Sequence, residues 1–180
     1  ESRANLSSRY SQDWTGSFDY AWTKCFGGTL EAYARVLYFQ RYKMRAVPNE
    51  SRIDELNAPD GLVQLLRYRA NAGISWSNKT FAFGSDAHYF HSQLLPVQEW
   101  AIEGHDRIRP FWQFDAFTQV DLARWVPWYP AHHGLRLQAR VNNVLNAPFP
   151  KYLNDGSGAG VHPYGDWRGR VYSLSLTASF

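Results

Sequence analysis

Strict alternation of apolar and polar residues is the feature that most limits what this chain can fold into. In 170–180, one set of alternate residues is Tyr172, Leu174, Leu176, Ala178 and Phe180. The other is Val171, Ser173, Ser175, Thr177 and Ser179. Side chains of a strand point to opposite faces with period two, so this segment reads as a strand with one apolar and one polar face. Segments 14–24, 69–76, 80–91, 114–125 and 135–142 alternate in the same way. Segment 29–44 does too, with Leu30, Ala32, Ala34, Val36 and Tyr38 against Glu31, Tyr33, Arg35, Leu37, Phe39 and Arg41. Leu30, Ala34, Leu37 and Tyr38 also fit a helical period, but the aromatic content favours a strand. The pattern predicts seven strands.

The connections alternate as well. Those at 25–28, 77–79 and 127–134 are short; those at 45–68, 92–109 and 143–169 are long. Short turns at one end and long loops at the other characterise outer-membrane barrels, whose spanning strands run about 9–11 residues. Aromatic residues make up 17% of the chain. Trp14, Trp22, Trp76, Phe81, Trp112, Trp125, Trp128, Tyr172 and Phe180 fall near strand ends, where an interfacial girdle needs them. Arg136, Gln138, Arg140 and Asn142 share one face of their strand, which a dry core would not tolerate but a wet lumen would. The expected fold is therefore all-β: an antiparallel transmembrane β-barrel portion of about seven up-and-down strands, with short periplasmic turns and long extracellular loops.

Other classes find little support. A net charge of +3 gives no argument for nucleic acid. One cysteine allows no internal disulfide and no cysteine-based zinc site. No apolar run approaches the roughly 18 residues of a membrane-spanning helix. The chain starts at Glu1, without Met or a signal peptide, so processing or a longer parent is expected.

The stretch "RVNNVLNAPFPKYLND", a Gly-rich loop, and then "DWRGRVYSLSLTASF" resemble the C-terminal end of TonB-dependent outer-membrane receptors. The matching residues are Asn142, Asn143, Val144, Leu145 and Asn146, then Gly169 and Arg170, then the terminal Phe180. "RYRANAGISWSNKTFAFGSDAHYF" and "FTQVDLARWVPW" resemble late strands of the same family. The resemblance implies a barrel of about 22 strands with a plugged lumen, in the bacterial outer membrane with its C-terminus in the periplasm. It implies uptake of a scarce, bulky ligand: a siderophore, cobalamin or an oligosaccharide. It also implies that Tyr172, Leu174, Leu176 and Phe180 form a signal for the barrel-assembly machinery. The plug and the segment that TonB engages have no counterpart in these 180 residues. The chain is thus expected to supply the C-terminal strands of the barrel. Its partners would be outer-membrane lipid and the remaining strands and plug, on the same polypeptide or another chain, with TonB reached only through the missing part.

No catalytic, metal or cofactor motif stands out, and no enzyme activity is expected. His88 and His91 are three apart and point to opposite faces of a strand. His132 and His133 sit in a Pro-rich turn. Asp13, Asp19 and Glu31 show no spacing that brings them together. Asn78 of "NKT" reads as a tight turn. Ligand contacts, if made, are expected from long-loop residues Trp100, His105, Arg107, His162, Tyr164 and Trp167, since aromatic and polar groups together suit sugars or chelates. Two alternatives remain. One is a complete eight-stranded barrel with an extra strand in 2–11. The other is a soluble carbohydrate-binding sandwich, in which the apolar faces of 135–141 and 172–180 meet over a dry core.

Overall fold

The computed structural model describes residues 8–45, 51–54, 56, 65–95, 97, 100–101, 104–126, 134–152, 160–161 and 168–179. Seven long strands appear: β1 (Ser8–Cys25), β2 (Gly28–Arg45), β4 (Tyr68–Ser77), β5 (Phe81–Phe90), β8 (Phe111–Asp121), β9 (Gly134–Asn142) and β12 (Val171–Ser179). They form one antiparallel up-and-down sheet in chain order, β1-β2-β4-β5-β8-β9-β12. Within the long loops lie β3 (Ile53–Asp54), which extends the sheet beside β2, and the small pairs β6 (Gln93–Leu94) with β7 (Arg107–Ile108) and β10 (Lys151–Tyr152) with β11 (Gly160–Val161). Among the described residues the sheet is open, and β1 and β12 are its edges.

Local chemistry sets the turns. Phe26 and Gly27 both have positive φ (48° and 76°) between the paired Cys25 and Gly28, as a two-residue hairpin turn requires. At the next turn, the Asn78 side chain accepts from the backbone N–H groups of Thr80 and Phe81 at 2.8 and 2.7 Å. Asn78 is therefore a turn former.

Three expectations need correction. Segment 114–125 is not strand throughout: β8 starts earlier and ends at Asp121, whose carboxylate caps a 3-10 turn, Leu122–Arg124, by accepting from the Ala123 N–H. Arg41 does not share a face with Glu31 and Arg35. The pairing shifts between Gln12 and Asp13, leaving Gln40 as an extra residue, and Arg41 pairs with Gln12 on the face of Trp14. Ser8–Ser11, the described part of the candidate eighth strand, belongs to β1.

Among the described residues the sheet has no core of its own. A small apolar cluster of Leu95, Ile108, Phe111 and Phe149 is buried at the long-loop end. The Phe111 ring lies 4.8 Å from Phe90 and 4.3 Å from Phe149. The apolar faces of β9 and β12 lie side by side on one sheet and do not face each other, as a sandwich would need.

Candidate functional site: an exposed apolar belt and a polar opposite face

The registers align the apolar sets of all seven long strands on one face. One row of cross-strand partners runs Tyr20, Ala32, Ile74, Ser85, Ala116, Val141, Tyr172. A parallel row runs Trp22, Leu30, Trp76, Phe83, Thr118, Ala139, Leu174. Between the bounding aromatics this face carries no Asp, Glu, Lys or Arg among the described residues. It is also uncovered: Trp14 is 64% exposed, Ile74 51% and Leu174 72%. Soluble monomers seldom expose a contiguous apolar patch beyond a few hundred Å².

Aromatic residues bound the belt at both ends. At the long-loop end Trp14, Tyr38 and Tyr68 share one row, Tyr89 and Trp112 share the next, and Tyr172 lies two rows further. Tyr38 stacks on Tyr68 at 4.7 Å, and Tyr89 packs against Trp112 at 4.8 Å. At the short-turn end Trp22, Trp76 and Phe83 share a row, and Phe81 lies in the next, 6.1 Å from Trp125. Both boundaries step the same way from β1 toward β12. At the long-loop end the step is three rows, about 20 Å along the strands over about 29 Å of sheet width. The strands are thus inclined by about 35° to the normal of the belt. Trp128 and Phe180 lie outside the described residues.

The opposite face is polar. Asp19, Tyr33, Gly73, Asp86 and Asp115 form one row across it. The Tyr33 hydroxyl donates to Asp86 Oδ1 at 2.7 Å. Its ring crosses Gly73, where a Cβ would collide with both the ring and the Asp86 carboxylate. Asp115 is buried at 7% exposure. It accepts from Gln113 Nε2 (2.8 Å) and the Asn143 N–H (2.9 Å), and lies 3.5 Å from His88 Nε2. The other His88 nitrogen bonds Asn71 at 2.8 Å. Arg35 pairs with Asp19 at 2.6 Å. Asp19 and Glu31, which no spacing joined, line one groove of about 620 Å³ with Tyr33 and Arg35. Register across separate strands brings them together, and alternation within one strand could not signal it.

His88 and His91 do lie on opposite sides. His91 sits just past β5, edge-on to Tyr68 at 5.0 Å, with its Nδ1 3.2 Å from the Tyr89 hydroxyl. Burial, and then the guanidinium groups of Arg67 and Arg107, hold its imidazole below the usual range. Among the described residues no three His, Cys, Asp or Glu side chains are placed to hold a metal.

Asn142, Asn143, Asn146, Gly169 and Arg170 converge on one turn. Asn143 and Asn146 adopt positive φ of 54° and 51°, a region Asn tolerates better than most residues. The Asn143 side chain exchanges two hydrogen bonds with the Ala147 backbone, at 2.8 and 2.9 Å. Asn146 Oδ1 accepts from the Arg170 N–H at 3.1 Å, beside Gly169 at φ 74°. Through Asp115, β8 is tied to the start of this turn. Tyr172, Leu174 and Leu176 lie exposed on the belt face of edge strand β12.

The loop residues divide. Trp100 is committed to its own loop, its indole N–H donating to the Leu95 carbonyl at 2.9 Å. His105 and Arg107 line a cavity of about 360 Å³ with Arg109, Phe111 and Phe149. Phe149 comes from a different loop, a junction the sequence did not signal. His162, Tyr164 and Trp167, like His132 and His133, lie outside the described residues. Compared with known proteins, the chain matches no family model, no curated protein and no solved structure.

Proposed function

We propose that this chain is part of the wall of a β-barrel in a bacterial outer membrane, and that the barrel belongs to a TonB-dependent transporter. The observation that carries this reading is the charge-free apolar belt, seven strands wide, between two staggered aromatic boundaries. Trp14 and Trp22, Leu30 and Tyr38, Tyr68 and Trp76, and Phe81 and Tyr89 are each eight residues apart. That is about 27 Å along a strand, or about 22 Å of height at a 35° tilt, close to the roughly 25 Å band and 35–45° tilt of outer-membrane barrels. Lipid would cover the belt, while the face of Asp86, Asp115, Arg136 and Arg140 would line the lumen. The edges β1 and β12 would pair with further strands, because in lipid each unpaired backbone group costs several kcal/mol. An eight-stranded barrel made by this chain alone is less well supported, since Ser8–Ser11 is already used in β1.

The resemblance of the Asn142–Asn146 and Gly169–Arg170 segments favours the TonB-dependent family, with β12 entering the periplasm and serving in assembly. Transport would be gated passage without covalent chemistry. The cavity of His105, Arg107 and Arg109 beside two phenylalanines suits an anionic chelate better than a neutral sugar. An antibody to this chain should find it in outer-membrane fractions, in a polypeptide much larger than 20.8 kDa or in complex with one. Deleting the gene should abolish energy-dependent uptake of at least one labelled ferric chelate or of cobalamin. A soluble product would overturn the membrane reading. A solitary 20.8 kDa outer-membrane protein would overturn the transporter reading.

A further inference from the structure

We infer that the polar face of β8, β9 and β12 is the strip along which a negatively charged ligand crosses the barrel. The inference rests on the transporter reading above, which makes this face the lumen wall, and adds the route to it. Charge on the face is divided. Its β9 and β12 residues are Arg136, Gln138, Arg140 and Asn142 beside Ser173, Ser175, Thr177 and Ser179, with no carboxylate among them. On β1 and β2, from the Asp13–Phe39 pair to the Ala21–Glu31 pair, the same face carries Asp13, Asp19 and Glu31 against Arg35. Arg35 is bound there to Asp19, whereas Arg136 and Arg140 form no ion pair among the described residues. Two carboxylates of β8 border the strip, and both are committed. Asp121, across from Arg136, accepts from the Ala123 N–H. Asp115 is buried and taken by Gln113 and the Asn143 N–H.

The layout suits passage of an anion. The Arg140 guanidinium lies 5.8 Å from the Phe117 ring centre, and that ring in turn covers Gly84, where a Cβ would collide with it. The bulky ring is thus laid against the wall with the cation over it. Arg136 follows four residues on, about 13 Å nearer the short-turn end. Gln138 lies between the two arginines, paired with Gln119 and Ser175. A carboxylate or phosphate leaving Arg140 therefore meets amide and hydroxyl donors before it reaches Arg136. Guanidinium forks match the oxygens of such groups, and the small side chains of β12 leave room beside them. The mouth has the same sign, because Arg107 and Arg109 line the cavity at the long-loop end. A ligand selected there for negative charge meets unpaired cations again on this strip, and low-dielectric walls focus their field.

The test uses the complete polypeptide in living cells, with Ser175→Cys or Ser75→Cys in a Cys25→Ser background. Ser175 pairs with Gln138 and stands diagonal to Arg136 and Arg140, roughly 7–8 Å from each. Ser75 stands across from Glu31. The probes are two methanethiosulfonates of similar size, the negative sulfonatoethyl and the positive trimethylammonioethyl reagent. In energised cells the negative-to-positive rate ratio should be about tenfold higher at 175 than at 75. Arg136→Gln with Arg140→Gln should erase that difference, and Arg136→Lys with Arg140→Lys should keep it. Sulfonate labelling at 175 should stop uptake of the labelled ferric chelate whose entry depends on this gene, with binding at the cell surface unchanged. Equal ratios at the two positions, or a ratio that the Gln pair does not move, would overturn the inference. A cysteine at 175 that neither reagent reaches in energised cells would also overturn it, and would make the strip a contact of the plug. Survival of all chelate uptake after deletion of the gene is a separate result, which would remove the transporter reading and this inference with it.

Discussion

Replacing Ala72 with Arg places a charge at the middle of the proposed lipid belt. Ala72 lies four residues from both Tyr68 and Trp76 and is exposed. Its cross-strand neighbours are Ala34 and Ala87, so a longer side chain meets no steric obstacle. On a water-covered sheet such a change would alter stability by no more than about 0.5 kcal/mol. At a bilayer midplane it costs roughly 2–4 kcal/mol. The control is Ser75→Arg, three residues along on the opposite face and directly across from Glu31. There an added cation gains a cross-strand partner, with an effect of roughly 0.2–1 kcal/mol in the favourable direction. Denaturant unfolding of the complete polypeptide from lipid vesicles measures both. The midpoint should fall clearly for Ala72→Arg and stay level or rise for Ser75→Arg. A cost below about 0.5 kcal/mol for Ala72→Arg, or equal costs at the two sites, would refute the reasoning.

Removing the Asp115 carboxylate with Ala leaves the Gln113 amide and the Asn143 N–H without their acceptor, and His88 without the carboxylate 3.5 Å away. A loss of roughly 1–3 kcal/mol in the same unfolding assay is expected. Gly73→Ala drives a methyl group into the Tyr33 ring. It should cost about 1–3 kcal/mol, and less in a Tyr33→Ala background, so a double-mutant cycle with no coupling would count against the crossing geometry. Burial and the nearby guanidinium groups of Arg67 and Arg107 disfavour protonation of His91 in the folded protein, so the unfolded chain takes up the proton first. Its contribution to stability is full above about pH 6.5 and declines as pH falls below that. His91→Gln should flatten this part of the stability profile, and an NMR titration of His91 at or above pH 6.5 would contradict it.

Much of the sheet was legible because period-two alternation is a local signal. Each of the seven strands, and the face that each of Leu174, Ala139 and Ile74 occupies, follows from residues within a few positions. The bulge at Gln40 was not legible, because inserting one residue changes pairing with β1 while leaving the β2 sequence apolar-polar on either side of it. Arg41 was therefore placed on the wrong face. The 3-10 turn at Leu122–Arg124 was missed because Leu122 continues the alternation, and only the capping carboxylate of Asp121 marks the stop. The network around Asp115 depends on β5, β8 and β9 being in one register, which no single segment records. The Asn142–Asn146 turn was visible as a motif, yet its tie to β8 through Asp115 was not.

The central claim is that one face of this sheet meets lipid and the other water. The most direct measurement uses single cysteines in a Cys25→Ser background, at the adjacent positions Leu174 and Ser175 and at Ala139 and Gln138. Each carries an environment-sensitive fluorophore on the complete polypeptide in lipid vesicles. Nitroxide-labelled acyl chains should quench the probes at 174 and 139, and an aqueous quencher those at 175 and 138. Equal aqueous quenching at all four positions, or a pattern that ignores the alternation, would contradict it.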